Sequence, residues 1–394
     1  MGVRWGLRRS SERRQLLHRR GGLAGSNPQA GTLGAQAAGG PCPDRRRSGG
    51  LARRPGLRAQ PSGLARHRLA RCQVGGRARW RRGQGPPAAD PREAWLTIRF
   101  ATAREEPWVD GGFEICWAQF PLAPPSVPGP PNATSGGVTL GQDGQLRHPL
   151  LAAPPALALW RAPTDNDRIG GMADRWSEWG LDRLERRLLS VQEQGPARVV
   201  RSEYRAPSEI VIAHEQRLTG LDNGVLRVDE VAEIAEALTD LARVGTVLEV
   251  VPGLEDVVWF GRGPHETYPD RKRGGRVGRW QSTVTDQYVP YIRPQENGGH
   301  ADVRWIELRD DLGRGLRITL DAPRQVSATH FRASDLATAT HDVELAPRAE
   351  TIVHLDAAHR GLGTASCGPD TLPEYLLGPG TYRWSWTLQP VDPG

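Results

Sequence analysis

Lysine is nearly missing from this 394-residue chain: of its 52 basic residues only Lys272 is a lysine. Arginine in its place, with abundant Gly, Ala and Pro, is the composition a very GC-rich gene produces. Cysteine is scarce as well. Cys42, Cys72, Cys116 and Cys367 include no Cys-x-x-Cys pair, which argues against a disulfide framework and a zinc site and fits a reducing cytoplasm. No apolar run approaches the ~20 residues of a membrane-spanning helix. The Arg-rich N-terminus has no apolar stretch of the kind a secretory signal needs. The expected location is therefore the cytoplasm, without a membrane partner, and the lone sequon Asn132-Ala133-Thr134 carries little weight.

Acidic residues are missing from one end only. Residues 1–94 hold 21 arginines and four acidic residues, a net of +17, whereas the remainder carries a net of −10. The basic head has no period-2 or period-3.6 apolar pattern, and its aromatics are Trp5 and Trp80. Such a segment buries too little apolar surface to offset an ordering cost of ~1–2 kcal/mol per residue, so residues 1–94 are expected to be disordered. Arg45-Arg46-Arg47 and Arg79-Trp80-Arg81-Arg82 are candidates for phosphate contacts, but no specific nucleic-acid partner is expected. A frame translated out of register is the simpler account of the head.

Ordered patterning starts at Trp95. Residues 94–100 and 113–120 read as two strands joined by a turn at Asp110-Gly111-Gly112. A Pro-rich linker spans 123–136, and a large domain covers 137–392. There the predicted strands include 224–228, 247–251, 257–260, 316–320 and 380–388, and one helix is predicted from Met172 to Trp179 with Gly180 as its C-cap. The fold class that follows is mainly β, a large antiparallel β-sandwich.

Three stretches carry a family resemblance. They are Leu159-Trp160-Arg161-Ala162-Pro163-Thr164-Asp165-Asn166-Asp167; Trp259 through Arg271 (Trp-Phe-Gly-Arg-Gly-Pro-His-Glu-Thr-Tyr-Pro-Asp-Arg), continued by Tyr288 through Gly298; and His359-Arg360-Gly361-Leu362-Gly363 leading into Ser366-Cys367-Gly368-Pro369-Asp370. In this order they resemble the C-terminal domain of glycoside hydrolase family 2 β-galactosidases. The strands at 95–122 resemble a remnant of the immunoglobulin-like domain that precedes it. The resemblance implies a supersandwich similar to galactose mutarotases, packed against a catalytic (β/α)8 barrel and closing one wall of the sugar pocket. It implies one substrate-contacting residue in this chain, Cys367, at a position that is Trp in enterobacterial members and Cys in members from high-GC bacteria. It assigns the catalytic glutamates, magnesium and sodium to other domains, so this chain is expected to carry no catalytic residue, metal or cofactor.

The residues themselves agree with a non-catalytic part. Asp165, Asp167, Glu266, Asp270 and Glu296 sit among Gly, Pro, Arg and aromatics, the setting of loop carboxylates held by backbone or arginine donors. Asp165 to Gly170 imitates the start of a calcium loop but has Ile169 and Trp176 where oxygen ligands are required. Nothing in the spacing of His265, His300, His330, His341, His354 and His359 pairs one with an acid. Cys367 has no base beside it in sequence, so a contact role fits it better than a nucleophilic one.

The expected function is thus the C-terminal part or small subunit of a β-galactosidase, inactive alone and partnered by a barrel-bearing large subunit or fragment in an oligomeric complex. A free-standing carbohydrate-binding or mutarotase-like module is the alternative.

Overall fold

Period-2 segments form the strands they predict, and among the described residues these sort into a sheet of four strands, one of twelve and a two-stranded ladder. The computed structural model describes residues 68–73, 79–82, 93–123 and 138–392. The smaller sheet comprises β1 (Arg68–Gln73), β2 (Arg79–Arg82), β3 (Ala94–Ala101) and β4 (Glu114–Ala123), in the order β2-β1-β3-β4. β3 and β4 are the two strands read from the sequence, paired antiparallel.

β1 and β2 correct the expectation that residues 1–94 lack structure. β1 runs parallel to β3 in the register Leu69↔Thr97 to Gln73↔Ala101, and β2 pairs antiparallel with β1. The Arg79–Arg82 cluster is therefore a strand. Composition missed both because a sheet neighbour supplies the backbone partners that the local sequence does not advertise. The rest of the expected disorder, in residues 1–67, 74–78 and 83–92, and the linker, apart from Ala123, lie outside the described residues.

β5 (Thr139–Leu140) and β6 (Leu146–Arg147) form a short ladder. The large sheet takes β7 (Leu151–Ala158), β8 (Glu185–Gln194), β9 (Ala197–Arg205), β10 (Val211–Gly220), β11 (Leu226–Ile234) and β12 (Arg243–Val250). It continues with β13 (Asp256–Gly263), β14 (Arg276–Thr283), β15 (His300–Arg309), β16 (Gly315–Thr329), β17 (Thr351–His359) and β18 (Gly380–Val391). The main path runs β14-β13-β15-β16-β18-β11-β10-β9-β8, with a branch β16-β17-β12-β7. β16 makes the branch. Its first part, Gly315–Leu320, pairs with β18, and its last part, Gln325–Thr329, pairs with β17.

The branch lies over the face of the main path. Trp384, Trp386 and Leu388 alternate inward along β18 and meet Leu248 and Val250 of β12 and Val353 and Leu355 of β17 in one buried cluster. Burial of each such side chain is worth about 1.5–3 kcal/mol. A polar cluster crosses the same core. Glu230 of β11 accepts from Trp386 Nε1 at 2.6 Å, His214 Nε2 at 2.9 Å and Gln216 Nε2 at 3.1 Å, and also from Thr246 of β12. Trp384 Nε1 reaches Thr246 Oγ1 at 2.9 Å, tying the two layers together.

Among the described residues three short α-helices decorate the strands: α1 (Asp165–Ile169), α2 (Met172–Trp179) and α3 (Ala333–Thr338). α2 has the predicted bounds. Its Trp176 is fully buried, with Nε1 donating to the Asp240 carbonyl at 2.8 Å, and Gly180 closes it at φ +73°. The strands at 93–123 dock onto the large sheet, where Trp95 packs on Phe260 and Trp305 and Glu93 pairs with Arg304 at 2.7 Å. Their far side is bare: Phe113, Ile115, Phe120 and Leu122 are all about half exposed or more.

Candidate functional site

The three motif stretches converge on one loop cluster at the end of β7 and β17. Its foundation is a pair of buried guanidinium groups. Arg161 follows β7, is fully buried, and holds Asp167 through Nε (3.0 Å) and Nη2 (2.7 Å). Its Nη1 and Nη2 donate onward to the carbonyls of Arg360 (2.9 Å) and Gly361 (3.2 Å). Arg360 in turn holds both oxygens of Asp240 at 2.9 and 3.0 Å and Thr371 Oγ1 at 2.7 Å. Bidentate arginine–carboxylate geometry fixes orientation as well as position, so the ends of the 360–371 loop are clamped from beneath.

The crest of that loop carries Cys367. Asn166 of α1 donates to the carbonyls of Leu362 (3.0 Å) and Gly363 (2.8 Å) and accepts from the backbone and hydroxyl of Ser366 (3.0 and 2.6 Å). Asp270 accepts from the Gly363 amide at 2.8 Å. Gly363 sits at φ +66° with Thr371 Oγ1 2.5 Å from where a Cβ would stand, so only glycine fits there. The turn closes through Cys367 N and Gly368 N, both donating to the Thr364 carbonyl. The Cys367 thiol is free and exposed. Among the described residues no base is hydrogen-bonded to it, so the geometry offers a surface contact and no activated nucleophile.

The motif carboxylates are engaged in bracing. Asp167 caps α1, accepting from the Thr164 amide at 2.8 Å, and Asp165 lies 3.7 Å from Arg168. Glu266 accepts from the Gly298 amide (3.0 Å), Arg271 (3.0 Å) and the Tyr291 hydroxyl, which pins the 288–298 loop. That loop docks on the first motif where Glu296 N donates to the Ala162 carbonyl at 3.0 Å and Asp165 N donates to Gln295 at 2.9 Å. Ile292 at its tip is 91% exposed.

Deeper lies a second charged cluster. Arg243 Nη2 donates to Glu296 Oε1 at 2.6 Å and faces His359 Nε2 at 3.2 Å. His359 Nδ1 meets the Arg360 carbonyl at 2.7 Å, so it carries the proton and leaves Nε2 as an acceptor. Burial pushes Glu296 up, but the Arg243 guanidinium beside it outweighs this and holds the carboxyl well below the usual range. Burial lowers His359 to about 4. Asp356 goes the other way: burial raises it to about 7, and Arg243 Nε, 3.7 Å away, is too far to hydrogen-bond and offset this.

These contacts change what the sequence conveyed. Two of the histidines whose spacing showed no partner are paired with an acid at hydrogen-bond distance, against that expectation: His330 with Glu255 at 2.8 Å, far apart in sequence, and His341 with Glu344 at 2.9 Å, only three residues apart. Arg161 and Arg360 stood inside the motifs but drew no attention, and Asp240, Arg243 and Asp356 lie outside them. Their only advance signal was charge within otherwise apolar segments. Among the described residues no group of three or more His, Cys, Asp or Glu is placed to hold a metal ion.

With this geometry in view the comparisons are specific. The family model described as beta galactosidase small chain matches residues 132–388, which contain every residue of the cluster. The chain belongs to the β-galactosidase small-chain family. A second model, β-galactosidase domain 4, matches residues 69–123, the span that starts at β1 and ends at β4. The chain is 33% identical to a β-galactosidase of Arthrobacter sp. (strain B7) over 333 residues, 74% of this chain and 33% of that protein. It is 29% identical to β-galactosidase 2 of Enterobacter cloacae, over 76% of this chain and 32% of that one. The small-chain protein thus spans about a third of the length of the curated relatives it matches. Among solved structures, a GalM/aldose epimerase homologue from C. elegans aligns with 55% of this chain and 71% of its own at 12% identity and a TM-score of 0.31.

Proposed function

We propose that this chain works as the C-terminal part of a β-galactosidase, supplying interdomain surface and one wall of the galactoside pocket, and that it hydrolyses nothing by itself. The observation that carries this reading is the Cys367 crest: an exposed side chain without a base, on a loop clamped by Arg161, Arg360 and Asn166. A clamped crest without an activating base suits a contact to a ligand held mainly by another domain. Retaining hydrolysis needs two carboxyl groups ~5–5.5 Å apart across the scissile bond, free to act on it. The motif carboxylates are instead engaged with arginines and backbone amides. The half-exposed apolar side of β4, with Ile115, Phe120 and Leu122, supports a covering partner.

The test is hydrolysis of a chromogenic β-galactoside by the purified chain, with and without a barrel-bearing β-galactosidase fragment. Activity is expected only with the fragment. Turnover by the chain alone, at any kcat in the ~1–10³ s⁻¹ range usual for enzymes, overturns the reading.

A further inference from the structure

Asparagine is a chemically labile side chain, and it is most open to attack by its own backbone before glycine, where the following residue has no Cβ to hinder the approach. The glycine amide nitrogen gives its proton to a base and bonds to the asparagine Cγ. Ammonia leaves, and water opens the resulting five-membered imide at either carbonyl, to aspartate or to isoaspartate. One water is consumed and one ammonia released, with no redox partner. Two such dipeptides occur in this chain, Asn223-Gly224 and Asn297-Gly298, and the fold places them in opposite settings.

Asn297 is locked at both ends. It is 7% exposed, its Oδ1 accepts from the Val289 amide at 3.0 Å, and its Nδ2 donates to the Gln295 carbonyl at 2.8 Å. The nitrogen that would attack, Gly298 N, donates to Glu266 at 3.0 Å. A Cβ on Gly298 would stand 2.5 Å from the Gln287 carbonyl oxygen, so this backbone has no room to swing. All three hydrogen bonds must break before the ring can close.

Asn223 has none of these restraints. It lies in the turn between β10 and β11, exposed, in the left-handed region at φ 60° and ψ 31° that asparagine tolerates. Among the described residues its side chain makes no hydrogen bond, and nothing lies within 4 Å of where a Cβ on Gly224 would stand. The turn itself closes loosely, with Val225 N 3.4 Å from the Asp222 carbonyl. Rotation of the Asn223–Gly224 peptide disturbs that weak turn and leaves the Leu221 N to Val225 carbonyl bond beneath it, at 2.7 Å, in place. Local opening of this kind sits at the cheap end of the range.

We propose that Asn223 is a site of self-modification, passing to aspartyl and isoaspartyl forms in the folded protein, while the fold protects Asn297. Either product sets a second carboxylate beside Asp222. The isoaspartyl form also adds one carbon to the backbone between β10 and β11, exposed where an enzyme of the class that methylates isoaspartyl carboxylates reaches it. The inference does not depend on the catalytic reading above, since it concerns the chain by itself.

The test incubates the full chain in mildly alkaline buffer, folded and in urea, and digests samples with trypsin under mildly acidic conditions. Mass spectrometry follows residues 218–227 for Asn223 and residues 280–304 for Asn297. In the folded chain Asn223 should convert at least about tenfold faster than Asn297, whose three hydrogen bonds must open first. In urea, where both are freed, the two rates should come within about threefold of each other. An isoaspartyl-directed methyltransferase with a labelled methyl donor is the second probe, and the folded, aged chain should accept label on residues 218–227 and not on residues 280–304. An Asn223 that stays intact in the folded chain while converting in urea, equal rates at both asparagines in the folded chain, or conversion at Asn223 without methyl acceptance overturns the proposal.

Discussion

The side-chain amide of Gln119 acts as a strand neighbour for Val277: its Nε2 donates to the Val277 carbonyl and its Oε1 accepts the Val277 amide, both at 2.8 Å. Val277 lies in β14, the end strand of the large sheet, so β4 satisfies an exposed edge with one side chain. Glu114 adds an ion pair to Arg276 at 3.1 Å from the same strand.

Gln119→Ala should therefore loosen the hairpin from the sandwich. Two part-buried backbone groups lose their partner, which predicts a destabilisation of about 1–2 kcal/mol and faster hydrogen exchange at the Val277 amide. Gln119→Glu removes the donor and keeps an acceptor, so it should expose the carbonyl while still serving the amide. Unchanged exchange at Val277 in Gln119→Ala would mean that the docking rests on Trp95, Glu93 and the Glu114–Arg276 pair.

Arg161 is expected to resist conservative replacement. Four of its five donors meet Asp167 and two backbone carbonyls, and the side chain is fully buried. Lysine supplies the charge but not the planar fork, so Arg161→Lys leaves carbonyls of the Cys367 loop unpaired. Breaking such a buried pair costs about 3–5 kcal/mol, and urea denaturation should register most of that for Arg161→Ala and a large share for Arg161→Lys. Full stability in the lysine variant would show that charge alone holds the loop.

How much of this was legible beforehand depends on whether the signal was local. The strands of the sandwich and α2 were readable because Trp384, Trp386 and Leu388, or Trp176 and Gly180, declare their period and caps within a few residues. β1 and β2 were not, since Arg68–Gln73 becomes a strand by pairing with β3 in parallel. At the site, the motifs located Cys367, Asp167 and Asp270. The deep cluster could not be read, because Arg243 comes from β12, Glu296 from the 288–298 loop and Asp356 and His359 from β17, which only the fold brings together.

The deep cluster predicts an acid-side and a neutral-side change in stability with opposite origins. Glu296 is depressed in the fold, so its contribution is present above its ordinary range near pH 4.5 and is lost as the pH falls below it. Asp356 is raised to about 7, so the fold prefers it protonated; that contribution is complete below about pH 4 and disappears as the pH rises to about 7. Each proton changes stability by up to about 1.4 kcal/mol per pH unit. Thermal or urea melts across pH 3–8 should show a loss of acid sensitivity in Glu296→Gln and a flatter profile between pH 4 and 7 in Asp356→Asn. An Asp356→Asn profile parallel to the parent's across that window would place the Asp356 titration elsewhere.

Cys367 offers the most direct test of the proposed pocket wall. Its thiol is exposed at the crest of a clamped loop, and Cys116 is exposed on β4, whose neighbours Ile115 and Phe120 form the bare apolar side. Both should react readily with a maleimide in the isolated chain, because neither is screened by packing. A barrel-bearing fragment that completes the pocket should slow Cys367, and one that also covers the hairpin should slow Cys116, with each site read separately by peptide mass spectrometry. Adding a galactoside to the complex should slow Cys367 further and leave Cys116 where it was, since only the crest is expected to meet the sugar. The decisive failure is a Cys367 that labels at one rate in the free chain, in the complex and in the complex with sugar. That result would remove the crest from the pocket wall, even if the complex itself were active.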